Sequence, residues 1–286
     1  MVSVRQILVP VLILLTPVVS RSRPDAKHAT SARTSLFAQS AAEALSRNFP
    51  DANISFLLLD AHTEQLLASR WDQPNLPIPL GSLAKPFTAL AYGERHEFRY
   101  PTLTCRGSET GCWRPGGHGD VDLTSAIAFS CNSYFRFLTA DLSAAEVSPT
   151  ASQFGLDLPD GDTLGAELAG LGPHWKISPL RMARAYLGLL RGRQHPAIAQ
   201  ILAGMERSAL HGTGAEMDRA LQSERALVKT GTAACTHSRH APGDGFVVAL
   251  VPAEDSRLLL MVRVHGVPGS IAARTAGQML RRIEEY

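Results

Sequence analysis

Strand-type sequence occurs only towards the two ends of this chain, and the long stretch between them reads as helical. Segments far apart in sequence must therefore share one sheet. Ile54 to Asp60 and Gln65 to Trp71 are short apolar runs separated by the polar Ala61-His62-Thr63-Glu64, the pattern of a β-hairpin. Three further runs lie late in the chain, Ala226 to Ala233, Gly245 to Val251 and Leu258 to Val264, the last two joined by the turn-like Pro252 to Ser256. From Ser82 to about Arg207 the spacing is helical, broken by Gly-rich loops at Arg106 to Gly119 and Gly155 to Gly172. The clearest helix follows Ser178, a capping residue with Pro179 at the first position and Leu180, Ala183, Leu187 and Leu190 in one stripe. Phe37, Ala41, Leu45 and Phe49 mark an amphipathic helix over Ser35 to Phe49, and a closing helix runs from a capping Ser270 to Glu284. The expected fold is α+β, an antiparallel sheet flanked by the terminal helices with an inserted all-helical lobe. At 286 residues and 45% hydrophobic, the chain has enough apolar material for such a core. Its net charge of +2 offers no field that would attract nucleic acid.

The first twenty residues follow different rules. Arg5 supplies a positive start, Ile7 to Val19 is almost wholly apolar, and Arg21, Arg23 and Asp25 end the run. This is a signal-peptide profile, with cleavage expected after Ser20. The alternative, an uncleaved anchor, needs about 20 apolar residues, and this run is shorter and interrupted by Pro10 and Pro17. The expected organisation is a signal over 1–20, a polar linker over 21–34 and a catalytic domain over 35–286. Export from the compartment of synthesis is therefore expected.

Three short motifs carry chemistry. Ser82-Leu83-Ala84-Lys85 puts a hydroxyl and an amine on one face of a helix. Pro86 is tolerated only near a helix start, so Ser82 is expected where free N–H groups favour a developing oxyanion. Such a pair also arises by chance about once in a chain this long. Ser130-Cys131-Asn132 offers a hydroxyl and an amide on an expected helical stretch, and alone it reads equally as a cap or turn. Lys229-Thr230-Gly231-Thr232 lies in a strand-type run, where a glycine signals close approach of another backbone or a ligand. Its amine and hydroxyls suit a carboxylate.

Taken in order, S-x-x-K, S-x-N and K-T-G resemble the signature set of penicillin-binding proteins and serine β-lactamases. Gly117-His118-Gly119 through Tyr134 and Phe135, Ile177 to Ala183 and Gly245 to Val248 look like elongation-type penicillin-binding proteins, and the likeness runs from about Phe37 to the end. The resemblance implies a β-lactamase/transpeptidase-like fold and a serine-type D,D-transpeptidase or D,D-carboxypeptidase, acting on peptidoglycan stem peptides and acylated by β-lactams. Under it Ser82 is the nucleophile, Lys85 the general base, Ser130 the proton relay to the leaving amine and Asn132 a ligand of the substrate amide. Lys229, Thr230, Gly231 and Thr232 form the strand that holds the terminal carboxylate, and the N–H groups of Ser82 and Thr232 form the oxyanion hole. The chemistry requires no cofactor, and cell-wall assembly proteins are the implied partners. Two alternatives remain: a serine β-lactamase, and a non-catalytic penicillin-binding sensor or scaffold. Against the first, Glu167-Leu168-Ala169-Gly170-Leu171 lacks the Asn of the E-x-x-L-N arrangement of class A enzymes, and Asn132 departs from class D. Against the second, no catalytic residue is missing. The chain also departs from the family, with Cys235 near a position where Gln is frequent and with the catalytic region following directly on the expected signal.

Cys105, Cys112, His118 and Cys131 have the spacing C-x6-C-x5-H-x12-C, three thiols and an imidazole that suit a closed tetrahedral structural zinc site. A metal near this region of the family adds weight. The rival reading is a Cys105–Cys112 disulfide, which export permits.

Overall fold

The computed structural model describes residues 26–159, 165–221, 224–235 and 243–285. The expected signal segment and the first part of the expected linker lie outside these residues. Among the described residues, no helix is long and apolar enough to cross a membrane.

Helix α1 (Ala26–Asn48) starts earlier than the apolar spacing suggests and takes in most of the expected linker, because no Pro or Gly interrupts the chain between Ala26 and Asn48. Strands β1 (Ile54–Asp60) and β2 (Leu66–Arg70) then form the expected hairpin. The helical lobe opens with β3 (Ile78–Pro79), a 3-10 turn over Gly81–Ala84 and α2 (Lys85–Arg95). It continues through β4 (Leu103–Cys105), β5 (Gly119–Val121), α3 (Leu123–Ala128), α4 (Asn132–Leu138), α5 (Ala144–Gln153) and α6 (Gly165–Leu168). After β6 (Lys176–Ile177) come α7 (Pro179–Arg191), α8 (Pro196–His211) and α9 (Ala215–Leu221). The chain returns to the sheet as β7 (Leu227–Ala233), β8 (Asp244–Val251) and β9 (Leu258–Val264), and ends in α10 (Gly269–Glu284).

The main sheet is antiparallel in the order β2-β1-β9-β8-β7, so strands from both ends of the chain meet in its centre, as expected. Leu57 and Val248 both pair with Met261, and this register sorts the side chains onto two faces. Leu57, Leu59, Val248 and Met261 face the helical lobe with Phe87 and Tyr186, while Phe56, Leu58, Val247 and Leu260 face α1 and α10 with Leu45, Ala276 and Met279. Burial on both faces is why these strands read as continuous apolar runs instead of alternating ones.

Three expectations change in detail. Helix α10 is preceded by Pro268, which makes no side-chain cap, and Ser270 lies within its first turn. Ser178 does cap α7, accepting from Arg181 N, but the stripe shifts towards Met182, Tyr186 and Leu189, leaving Leu180 and Leu190 only partly buried. The Gly-rich stretch Arg106 to Gly119 is the closed end of a β4/β5 hairpin in which Cys105 pairs with Gly119, a pairing too short to show as a sequence period.

Candidate active site

The K-T-G strand is the sheet edge, and the turn carrying Ser82 packs directly against it. Glycines permit this approach. A Cβ on Gly231 would stand 2.6 Å from Leu80 O, and one on Gly81 would stand 2.3 Å from Thr232 O. Gly81 also has φ +59°, in the region that side chains disfavour. Ser82 lies in the 3-10 turn that leads into α2, with Pro86 as the second helical residue, close to the place expected for it. The turn is held from below by the buried Tyr186, whose hydroxyl donates to Leu83 O at 2.9 Å. We expect Gly81→Ala to leave the fold in place but to separate the backbone N–H groups of Ser82 and Thr232, lowering acylation by penicillin about 10²-fold, the cost of one oxyanion donor. Stopped-flow labelling together with a thermal melt checks this.

Ser130 stands at the centre of the polar network. It is not within a helix, as the sequence suggested, but between α3 and α4, with φ +49° in the left-handed region. A non-glycine residue held there is strained, and such strain is kept where surrounding contacts over-determine it. The consequence is geometric: the reversal turns the Ser130 hydroxyl towards the lysines, while Cys131 points into a separate cluster. Lys85 Nζ donates to Ser130 O at 2.9 Å, to Ser130 Oγ at 3.4 Å and to Asn132 Oδ1 at 2.7 Å. Lys229 Nζ donates to Ser130 Oγ at 3.0 Å and to Thr230 O at 2.7 Å.

Both lysines are fully buried. Burial lowers the Lys85 pKa to about 7, with Arg136 a smaller influence in the same direction. Burial also drives Lys229 well below the ordinary lysine value, and here the charge of Lys85 adds to the effect. For Lys85, then, removal from water is the main cause of the lowered value. The direct carboxylate grip expected of Lys229 also changes, since its amine is buried beneath Ser130. Thr230 and Thr232 line the cleft instead.

The cleft, about 800 Å³, takes Ser82, Ser130, Asn132, Thr230, Gly231 and Thr232 into one wall system. Two residues that the sequence did not single out join them. Thr213, in the Gly-Thr-Gly stretch after α8, accepts from Thr230 Oγ1 at 2.6 Å, and Trp113 lines the cleft while its indole N–H donates to Phe129 O at 3.0 Å. A small polar residue between glycines was the available signal for Thr213; Trp113 is brought in only by the β4/β5 hairpin. Glu167 does not itself line the cleft; its carboxylate accepts from His174 N at 3.0 Å and lies 2.9 Å from His174 Nδ1.

Behind Ser130 the four sequence-predicted metal ligands converge, their donor atoms all within 4.8 Å of one another. Cys105 Sγ and Cys112 Sγ each lie 3.5 Å from His118 Nδ1, and Cys112 Sγ lies 3.9 Å from Cys131 Sγ. Tetrahedral zinc separates such atoms by about 3.6–3.8 Å, so the donor set fits the ion. The Cys105 and Cys112 thiols are free. Hydrogen bonding between the two thiols holds Cys112 far below the ordinary thiol value and raises Cys131, and thiolate character is what a zinc ion requires of its sulfur ligands.

Residues 54–283 match the family model described as the penicillin binding protein transpeptidase domain. A curated relative, the peptidoglycan D,D-transpeptidase MrdA of Acinetobacter baumannii, is 31% identical over 87 residues, a match covering 30% of this chain and 11% of that protein. Among solved structures, penicillin-binding protein 2 of Helicobacter pylori, in complex with MreC, superposes with TM-score 0.73 at 18% identity, covering 87% of this chain and 62% of that one. Penicillin-binding protein 2 of Pseudomonas aeruginosa gives TM-score 0.71 at 17% identity, covering 87% and 73%. The transpeptidase domain of Burkholderia pseudomallei penicillin-binding protein 3 gives 0.65 at 17%, covering 89% and 93%. At these identities the structural likeness is one of fold.

Proposed function

This chain belongs to the penicillin-binding protein transpeptidase family, and from that premise we propose that it is an exported D,D-transpeptidase or D,D-carboxypeptidase acting through an acyl-enzyme on Ser82. The observation that carries the reading is the arrival of all three motifs at one cleft, with Ser130 Oγ 3.0 Å from Lys229 Nζ and 3.4 Å from Lys85 Nζ. The substrate is the D-alanyl-D-alanine end of a peptidoglycan stem peptide. Its terminal carboxylate meets the hydroxyls of Thr230 and Thr232, and its amide meets Asn132.

In acylation the Ser82 hydroxyl oxygen bonds to the carbonyl carbon of the penultimate residue as its proton passes to neutral Lys85. The carbonyl oxygen takes up negative charge between the N–H groups of Ser82 and Thr232. When the C–N bond breaks, Ser130 gives its proton to the departing D-alanine amine and is reprotonated from the lysine side. Lys229 acts through Ser130, whose hydroxyl it orients by the hydrogen bond from Nζ. The acyl ester then passes to an acceptor amine or to water. A β-lactam follows the same path, but its amine stays tethered after ring opening.

Glu167 is engaged by His174 and is absent from the residues lining the cleft, which favours slow deacylation over a β-lactamase. The test is the lifetime of the adduct. A labelled penicillin should remain on the protein for many minutes, whereas rapid repeated turnover of a chromogenic cephalosporin would move the protein to the β-lactamases.

The apolar Ile7 to Val19 run supports export to the periplasmic side. The penicillin-binding protein 2 complex with MreC supports cell-wall assembly proteins as partners. Cys105, Cys112, His118 and Cys131 would hold a structural zinc ion that pins the β4/β5 hairpin to the Ser130 turn without joining the reaction. Elemental analysis of untagged protein should show bound zinc that falls by one equivalent per chain in Cys112→Ser. All four thiols should titrate under denaturing conditions, and a missing pair would favour the disulfide.

A further inference from the structure

We propose that Cys235, Asp244 and His265 form a second site, for a zinc-like divalent cation, at the end of the sheet beside the cleft. The three residues belong to three different strand ends. Cys235 follows β7, Asp244 opens β8 and His265 follows β9, and the pairings Ala233 with Asp244 and Gly245 with Val264 bring those ends side by side. Their donor atoms all lie within 4.8 Å of one another. Cys235 Sγ stands 3.9 Å and Asp244 Oδ1 2.9 Å from the same ring nitrogen, His265 Nδ1.

That shared nitrogen distinguishes the cluster from a proton relay. A relay passes through both nitrogens of an imidazole, one facing the acid and the other the nucleophile. Here Cys235 Sγ and Asp244 Oδ1 both lie on the Nδ1 side of the ring, which gathers three donors of different types in one place. Tetrahedral zinc sets S···N near 3.6 Å and N···O near 3.4 Å, so these two separations lie within about half an ångström of coordination distances. One thiolate, one imidazole and one carboxylate are borderline-soft donors suited to zinc, leaving a fourth position for water. The Asp244 side chain is only 3% exposed, and a carboxylate held out of water needs a cationic or hydrogen-bonding partner, a place that a bound cation would share with His265.

The position gives the site its consequence. Ala233 and Ala234, just before Cys235, line the cleft, and so do Pro268 and Gly269, just after His265. Gly269 N donates to Thr232 Oγ1 at 3.0 Å. An ion joining Cys235 to His265 therefore ties together the two segments that form the rim on the K-T-G side.

This inference stands apart from the acyl-enzyme reading and from the Cys105 cluster, and the experiment separates them. Untagged protein, stripped of metal and reloaded with zinc, should bind two ions per chain by elemental analysis. Cys235→Ser and His265→Gln should each bind one, while Cys112→Ser should lose the other. Two ions retained in both Cys235→Ser and His265→Gln, or no difference between these variants and the unaltered protein, overturns the proposal. The unaltered protein gives a second measurement that does not depend on variants folding. Mass-spectrometric mapping of iodoacetamide modification should find Cys235 alkylated in the stripped protein and shielded in the loaded protein, and equal rates would count against the site.

Discussion

Replacing Ser82 by alanine is expected to remove covalent penicillin uptake altogether, while the variant keeps its fold. Ser82 lies in the turn that leads into α2 and lines the same cleft as Ser130, Asn132, Thr230 and Thr232. Loss of an activated nucleophile lowers turnover by on the order of 10⁴–10⁶-fold in serine acyltransfer. The alanine is sterically mild, since it keeps the Cβ and removes only an oxygen from a half-buried position. Intact-protein mass spectrometry after incubation with penicillin reads the outcome as an added mass or none. Stoichiometric uptake by Ser82→Ala would remove Ser82 from its role and leave the family assignment intact.

The second large effect concerns Lys85. A general base must be neutral to accept the Ser82 proton, and burial brings Lys85 to about pKa 7. The sign follows directly. Below pH 7 the amine is mostly protonated and acylation should fall about tenfold per pH unit, whereas above pH 7 the rate should level off. Lys85→Met should abolish acylation, and Lys85→Arg should do the same because a guanidinium stays charged. Lys229→Ala should retain the rising limb at a reduced rate, since Lys229 reaches the reaction through Ser130. Second-order acylation rates from pH 5 to 9 check all three, and a flat profile in the unaltered protein would rule out Lys85 as the titrating base.

Much of the site was legible before the fold was known. The S-x-x-K stretch with Pro86 beside it signalled a helix start, which is where Ser82 and Lys85 lie, and Gly231 within an apolar run signalled a close backbone approach that proved to be Leu80 O at 2.6 Å from its notional Cβ. Local rules failed where the chain departs from regular structure. The left-handed turn at Ser130 has no period to detect, and Asn and Ser alone do not announce it. The role of Lys229 was also hidden, because a lysine in a strand can face a ligand or a neighbouring serine equally well until the packing is known.

Sequence alone therefore determined the layout: strands from the chain ends forming one antiparallel sheet, a helical insertion between them, and three reactive motifs in a fixed order. Those properties follow from apolar period, turn chemistry and residue type, all of which act over a few neighbouring positions. Tertiary structure decided how far each group is withdrawn from water and which partner it meets. Lys85 and Lys229 lie 144 positions apart in number yet both donate to Ser130, and their lowered pKa values come mainly from burial by helices and strands that neither motif contains. The same is true of Cys235, Asp244 and His265, whose donors meet only because β7, β8 and β9 end in register. Burial and long-range convergence are properties of the packed chain, and no local pattern encodes them.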